Sequence, residues 1–239
     1  MTSSETAAGL VSNARAVLLD FDGPVCSVFA GYRAHEVAAE IMKRAATAGF
    51  ALQPDAPDDP ISVFKATRGM DAQVIAAVED ALVAEESTAL GRTAPHLGIP
   101  DLVRQLRTAG HRLVIVTNNG AGPVSAFINR HGLADEVETV IGRNPRHPEL
   151  LKPSPDSIIR ALAHLDLPPA AAVFVGDSTT DVLAGHSAGV PVIGYANKTG
   201  KDKGLRKVGA DFIIASMWEL IGVRRNQHPT AELSEPPAG

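Results

Sequence analysis

Residues 14–23 read Ala-Arg-Ala-Val-Leu-Leu-Asp-Phe-Asp-Gly, an aliphatic run that stops on two aspartates and a glycine. Such a run suits a strand buried on both faces of a parallel sheet, and it should end at Asp20. Four similar runs follow at His111–Thr117, Val137–Ile141, Ala171–Gly176 and Val190–Gly194, with a weaker sixth at Ala210–Ile214. Helical patterns lie between most of them. Pro100–Ala109 carries Leu102, Val103 and Leu106, with Gly110 as its C-terminal stop. Ser154–Leu165 opens with a capping Ser154 and with Pro155 at the first helical position, and aligns Ile158, Ile159, Leu162 and Leu165 along one stripe. This alternation predicts an α/β fold, a doubly wound parallel sheet of Rossmann type, with a ligand crevice beyond the carboxyl ends of its strands.

One stretch breaks the alternation. Residues 27–95 show two helical patterns, at Tyr32–Ala48 and Asp71–Leu90, and no convincing strand. They read as a small inserted helical unit, with the Pro- and Asp-rich Gln53–Pro60 as an exposed loop. The α/β core is thus expected over residues 14–26 and 96–225. The small polar start, 1–13, and the end, 226–239, carry little to bury and read as disordered tails.

The composition narrows the classes of function. At 239 residues and 45% hydrophobic content the chain can bury a sizeable core. Twenty-two Lys and Arg against 27 Asp and Glu give a net charge of −5, with no concentrated basic face, so nucleic acid is a poor default partner. Aromatic residues at 4% also argue against a base-stacking surface. The single Cys26 offers neither an internal disulfide nor a zinc cluster. No segment approaches the ~20 apolar residues needed to span a bilayer, and no leader is visible. A soluble cytoplasmic protein is expected, monomer or homodimer.

The chemistry gathers at strand ends. Asp20 and Asp22 are two positions apart, so both carboxylates leave the first strand on the same side. Alone, this is equally well a strand ending in an Asp-Gly turn. A second acidic pair, in Gly176-Asp177-Ser178-Thr179-Thr180-Asp181, again follows an aliphatic strand and opens a helix. An N-cap explains Asp177 by itself, but not why two separate strands end in acidic pairs. Were the two strands neighbours, their carboxylates would converge on a hard cation, for which Mg²⁺ with waters and a substrate phosphate is the expected occupant. Thr117-Asn118-Asn119-Gly120 adds a hydroxyl and turn amides suited to phosphate oxygens, and Lys152 supplies a cation.

Taken together, Asp20-Phe-Asp22-Gly, Thr117, Lys152 and Gly176-Asp177-Ser-Thr-Thr-Asp181 resemble the four ordered motifs of the haloacid dehalogenase-like hydrolase superfamily. The resemblance runs from about Arg15 to Leu220. The insertion is similar to the helical cap of the phosphoglycolate phosphatase and β-phosphoglucomutase-like branch.

The resemblance implies that Asp20 is a nucleophile forming an aspartyl-phosphate, and that Asp22 protonates the leaving group and then activates water. It implies that Thr117 and Asn118 bind the phosphoryl group and that Lys152 balances charge on nucleophile and phosphate. Mg²⁺ would be held by Asp20, the backbone carbonyl of Asp22, Asp177 and Asp181. The expected function is a Mg²⁺-dependent phosphatase acting on a small phosphorylated metabolite. A phosphomutase, or a phosphometabolite-binding module without turnover, are the alternatives. Specificity would live in the cap, where Tyr32, Arg33 and His35 follow the first motif most closely. One departure from the usual Asp-Gly-Thr is Pro24, which brings neither hydroxyl nor N–H.

Two patterns are false friends. Gly185-His-Ser-Ala-Gly189 matches the nucleophile elbow of serine hydrolases, but Ser187 falls at the end of a helical pattern, where the elbow needs a strand before it and a helix after it. Gly194–Lys201 has one residue too many for a phosphate loop and is followed by Asp202. The basic residues Lys198, Lys201, Lys203, Arg206 and Lys207 read as a solvated face, outside the site unless they border the crevice.

Overall fold

The structure is a computed structural model that describes residues 6–50 and 57–222. The opening run forms β1, Ala16–Leu19, with all four residues buried. It is flanked by β2, Arg112–Val116, and by β4, Ala172–Gly176, both parallel to it. Outside these lie β3, Thr139–Ile141, next to β2, and β5, Val192–Tyr195, next to β4, with β6, Phe212–Ile214, at the far edge. The order β3-β2-β1-β4-β5-β6 reverses direction between β1 and β4. A crevice therefore opens beyond Leu19 and Gly176, where neighbouring chains turn to opposite faces.

Side-chain alternation along the central strands divides the core in two. Val17, Leu19, Leu113, Ile115, Val173 and Val175 face α5, Ile99–Thr108, and α6, Ala121–Arg130. Ala16, Leu18, Val114, Val116 and Phe174 face α7, Asp156–Leu165, and α8, Thr179–Ser187. On α7 the buried stripe is Ile158, Ala161, Leu162 and Leu165. Ile159 does not join it and is 51% exposed, because a helix with one covered face leaves the position after the first anchor pointing outward. The helix also starts later than expected: Pro155 is its N-cap, and the Ser154 hydroxyl only accepts a long 3.4 Å bond from the Asp156 N–H.

Residues between β1 and β2 form α2, Ala34–Ala45, α3, Pro60–Ala66, and α4, Ala72–Leu90. The third helix was not legible in the sequence. Asp59 caps it, accepting from the Ser62 N–H at 3.0 Å, and Pro60 occupies its first turn. These helices bury their own cluster, including Ile41, Phe64, Val78 and Leu82, and Leu151 from the core side plugs into it. Of the expected Gln53–Pro60 loop, residues 53–56 lie outside the described residues.

The start of the chain corrects an expectation. Residues Ala7–Asn13 form helix α1, whose first N–H groups are met by the Thr6 hydroxyl, accepting from Gly9 at 3.0 Å. Ala7 and Val11 are buried in the main core, together with Met217 and Leu220 of a 3₁₀ turn at Met217–Ile221. The small residues that look like a tail make a short helix able to pack closely. Residues 226–239 lie outside the described residues. No helix among those described is long and apolar enough to cross a membrane.

Candidate active site

The β1 and β4 ends deliver their carboxylates to one place. Oxygens of Asp20, Asp177 and Asp181, all buried, lie within 4.8 Å of one another. Asp20 extends β1, its N–H donating to Val175 at 2.8 Å. Ser178 caps α8, so Asp177 itself is not the cap. Ser178 and Asp181 form a reciprocal capping box in which one Asp181 oxygen accepts from the Ser178 N–H at 3.0 Å. The other Asp181 oxygen accepts from Lys152 Nζ at 2.5 Å, and the same ammonium donates to Asp20 Oδ1 at 2.7 Å.

Two glycines make this approach possible. Gly23 has φ +112°, and a Cβ there would lie 2.2 Å from Asp177 Oδ2. A Cβ on Gly176 would lie 2.4 Å from that of Asp181. Pro24 fits the same turn, whose bonds are made by its neighbours: the Val25 and Cys26 N–H groups both donate to Phe21, and the Gly23 N–H donates to Cys26.

Burial and the Asp181 charge push Asp20 well above the usual carboxylate range, with Lys152 opposing. Burial pulls on Lys152 in the other direction, but Asp181 and Asp20 outweigh it and raise its ammonium. Asp22 stands apart from the triad. Its Oδ1 accepts from the Val28 N–H at 2.9 Å, and its carboxyl is raised by desolvation from the surrounding protein, against that bond. Burial and the neighbouring Asp22 and Asp20 also push the Cys26 thiol up, which leaves it an inert packing residue.

The donor set suits a hard divalent cation. It is made of oxygens only, it is compact, and among the described residues one oxygen each of Asp20, Asp22 and Asp177 takes no hydrogen bond from the protein.

Thr117 and Asn118 follow β2 and line the same cavity, of about 200 Å³, with Asp20, Asp22, Lys152 and Asp181. The Thr117 hydroxyl donates to Asn119 Oδ1 at 2.9 Å, and Asn118 Oδ1 accepts from the Lys152 backbone N–H at 2.9 Å. Asn118 thereby keeps its NH₂ as a donor. Ile61 of α3 is the wall that the insertion supplies.

Tyr32, Arg33 and His35, expected as specificity contacts, line neither this cavity nor the larger one beside it. Tyr32 stacks edge-on against Phe29, and Arg33 pairs with Glu36 at 3.2 Å on the surface. Ser187 ends α8 ahead of β5, so it occupies no strand-to-helix elbow.

Sequence reasoning missed two groups of residues. The first is a buried ion cluster behind the loop that follows β2. Arg143 donates to Glu79 at 2.6 Å and to Glu86 at 2.7 Å. Glu86 also accepts from Asn119 Nδ2 at 2.9 Å and from the Gly120 N–H at 3.0 Å. Its signal was the seven-residue spacing of Glu79 and Glu86, which puts both on one helix face. The second group is Asn197, Lys198 and Lys201, just past β5. Asn197 donates to Asp177 at 2.8 Å, Lys201 also bonds Asp177, and all three line a cavity of about 540 Å³. Their position after a strand's carboxyl end was the clue.

Comparison with known proteins agrees with this architecture. Residues 61–195, more than half of the chain, match the family described as haloacid dehalogenase-like hydrolase. The match begins downstream of Asp20 and Asp22. A phosphoglycolate phosphatase of Rhodospirillum rubrum is 34% identical over 145 residues, 57% of this chain and 58% of its own. The pyrophosphatase PpaX of Halalkalibacterium halodurans is 28% identical over 131 residues, 54% of this chain and 59% of its own. The chain thus spans well under two thirds of the length of these relatives. A solved haloacid dehalogenase-like family hydrolase of Streptococcus pneumoniae superposes with a TM-score of 0.65 at 20% identity, covering 88% of this chain and 98% of its own, a likeness of fold. With a parallel sheet in this order, acidic loops meeting beyond it and a family match over most of its α/β region, the chain belongs to the haloacid dehalogenase-like hydrolases.

Proposed function

We propose that the chain is a Mg²⁺-dependent phosphatase that hydrolyses a small phosphorylated metabolite through a phosphorylated Asp20. The observation that carries this reading is the meeting of Asp20, Asp177, Asp181 and Lys152, from three distant stretches, in one small cavity. The names of the relatives support hydrolysis of phosphate esters or anhydrides, with leaving groups that differ.

In the first step an Asp20 oxygen attacks phosphorus, the bond from phosphorus to the leaving oxygen breaks, and Asp22 gives that oxygen its proton. In the second, Asp22 takes a proton from water as the water attacks the acyl phosphate. Inorganic phosphate leaves and the Asp20 carboxylate returns. Asp22 begins as an acid, in keeping with its raised carboxyl. Lys152 holds positive charge against Asp20 and the equatorial oxygens, and Asn118 and Thr117 supply donors once the Thr117 hydroxyl turns from Asn119. Mg²⁺ held by Asp20, Asp177, Asp181 and the Asp22 carbonyl would add the positive charge that these carboxylates otherwise lack. We read the helices of residues 27–95 as a cap that excludes water, with Ile61 as its contact.

A screen of phosphorylated metabolites with added Mg²⁺, read as released inorganic phosphate, tests the proposal. Release from at least one ester is expected. A purified, folded chain that releases none with any substrate, p-nitrophenyl phosphate included, would remove it.

A further inference from the structure

Each aspartate beyond the carboxyl edge of the central strands has one oxygen engaged by the protein. Asp20 Oδ1 accepts from Lys152 Nζ at 2.7 Å, and Asp22 Oδ1 accepts from the Val28 N–H at 2.9 Å. Asp181 Oδ2 takes two bonds from Ser178, from its N–H at 3.0 Å and from its hydroxyl at 2.7 Å. Asp177 Oδ2 also takes two, but from a loop well along the chain: Asn197 Nδ2 donates to it at 2.8 Å, and so does Lys201 Nζ. A carboxylate oxygen with two donors has both its lone pairs filled. Asp177 can therefore serve a cation only through Oδ1.

We infer that Asn197 and Lys201 determine which divalent cation the site accepts: by filling Asp177 Oδ2 they hold that carboxylate to a single metal bond, and so favour Mg²⁺ over Ca²⁺. Neither residue belongs to the four motifs, and the inference rests on reading Asp20, Asp177 and Asp181 as ligands of the cation. The chemistry of the two ions gives the sign. Ca²⁺ gathers about six to eight oxygens in loose geometry and readily takes both oxygens of one carboxylate, whereas Mg²⁺ takes about six in tight octahedral positions and keeps several waters. Acids that each offer one oxygen suit the second ion and starve the first.

The loop after β5 is shaped for this contact. Asn197 Oδ1 is buried and has no partner among the described residues, so the bond to Asp177 is what orients the amide; turned over, it would set two oxygens face to face. Lys201 opens the short helix Lys201–Lys207, where a cation opposes the helix dipole, and its bond to Asp177 offsets that misplacement. The Ala196 N–H donates to Ile214 at 2.8 Å and the Asn197 N–H donates to Tyr195 at 3.0 Å, which ties the loop to the sheet. Gly23 closes another side of the same oxygen, since a Cβ there would lie 2.2 Å from Asp177 Oδ2.

The test reads the apparent affinities of the full chain for Mg²⁺ and for Ca²⁺ from the rise of its thermal midpoint with cation concentration, at constant ionic strength. The unaltered chain is expected to bind Mg²⁺ at least as tightly as Ca²⁺. Asn197→Leu combined with Lys201→Met, each close in size to the residue replaced, frees Asp177 Oδ2 and should move the ratio of the two affinities roughly tenfold toward Ca²⁺. Loss of the ammonium charge by itself tightens both ions alike and leaves the ratio where it was, so the ratio separates ligand geometry from charge. Asn197→Leu alone changes no charge and should move the ratio in the same direction by a smaller factor; it carries the test if the double variant does not fold. A preference of the unaltered chain for Ca²⁺, or a ratio that does not move in a folded variant, would overturn the inference. Turnover of p-nitrophenyl phosphate with Mg²⁺ by the unaltered chain separates the two failures. Turnover and a midpoint that responds to Mg²⁺, with an unmoved ratio, sink the role of Asn197 and Lys201 and keep the phosphatase. A midpoint that responds to neither ion, without turnover, removes the cation site and this inference with it.

Discussion

Two clusters of buried charge lie side by side at the carboxyl edge of the sheet, and they are built on opposite principles. Behind the loop that follows β2, Arg143, Glu79 and Glu86 are closed off by protein. Both Glu86 oxygens accept, from Asn119, Gly120 and Arg143, and the guanidinium also lies 5.5 Å over the Phe64 ring. In front of the loop, Asp20, Asp22 and Asp177 each keep an oxygen with no protein donor among the described residues. Charges paired with one another clamp α4 to the core, with only Arg143 Nη2 left without a partner among the described residues, and in front carboxylate oxygens stand without protein donors. Buried carboxylate oxygens without a protein donor are places where a fold takes up water, an ion or a ligand.

The contrast predicts that damage in front removes activity and damage behind removes stability. The largest effect is expected for Asp20→Asn, which should lower phosphate release by at least ~10³-fold while the thermal midpoint stays level or rises, since one buried carboxylate is gone. A folded Asp20→Asn chain with full turnover would break the comparison on its active side.

Chelation should act on the same cluster without altering the chain. EDTA is expected to abolish turnover, Mg²⁺ to restore it, and Mg²⁺ alone to raise the thermal midpoint by mass action. Stability that ignores the metal would mean that the free oxygens are not its ligands.

Arg143→Met should cost about 3–5 kcal/mol in chemical denaturation, because it leaves Glu79 and Glu86 buried without their partner. Met fits the aliphatic volume and cannot supply the charge. A cost below about 1 kcal/mol, the range of surface ion pairs, would show that the rear cluster is no clamp.

The smallest effect sharpens the scale. Arg112 and Glu138 pair at the opposite, amino end of the sheet, where both are partly exposed. Arg112 holds the Glu138 carboxyl below the usual value. Its folded value is depressed, so the contribution is present above the unfolded value of about 4.3 and lost as pH falls through the lower folded one. Glu138→Gln should cost less than about 1 kcal/mol at neutral pH and progressively less in acid, below about pH 4. An equal loss in neutral and in acid solution would assign the effect to packing.

The same contrast explains what could be read in advance. The strands were legible because each is a short aliphatic run with a hard stop, and the front cluster because its aspartates sit at those stops. Thr117 shared that advantage of position, whereas Lys152 lies well past the end of β3, ahead of α7, and was legible only as a cation before a helix and through the resemblance. The rear cluster was hidden: Glu79 and Glu86 look like ordinary acidic residues of a long helix, and Arg143 lies in a loop far away along the chain. Only packing of α4 against the β3 end brings them together. Lys198 and Lys201 were set aside because a basic run is usually solvated, and their relation to Asp177 depends on where the loop after β5 folds back. Tyr32, Arg33 and His35 were chosen by nearness in sequence, but the cavity wall comes from Ile61 on a helix that proline and aspartate disguised as a loop.

Acid quenching during turnover of p-nitrophenyl phosphate with Mg²⁺, followed by peptide mapping in a mass spectrometer, looks for the phosphorylated carboxylate itself. Phosphate should appear on the peptide that carries Asp20, and vanish in Asp20→Asn. Label on another residue, or steady turnover with no label at any quench time, would contradict nucleophilic attack by Asp20.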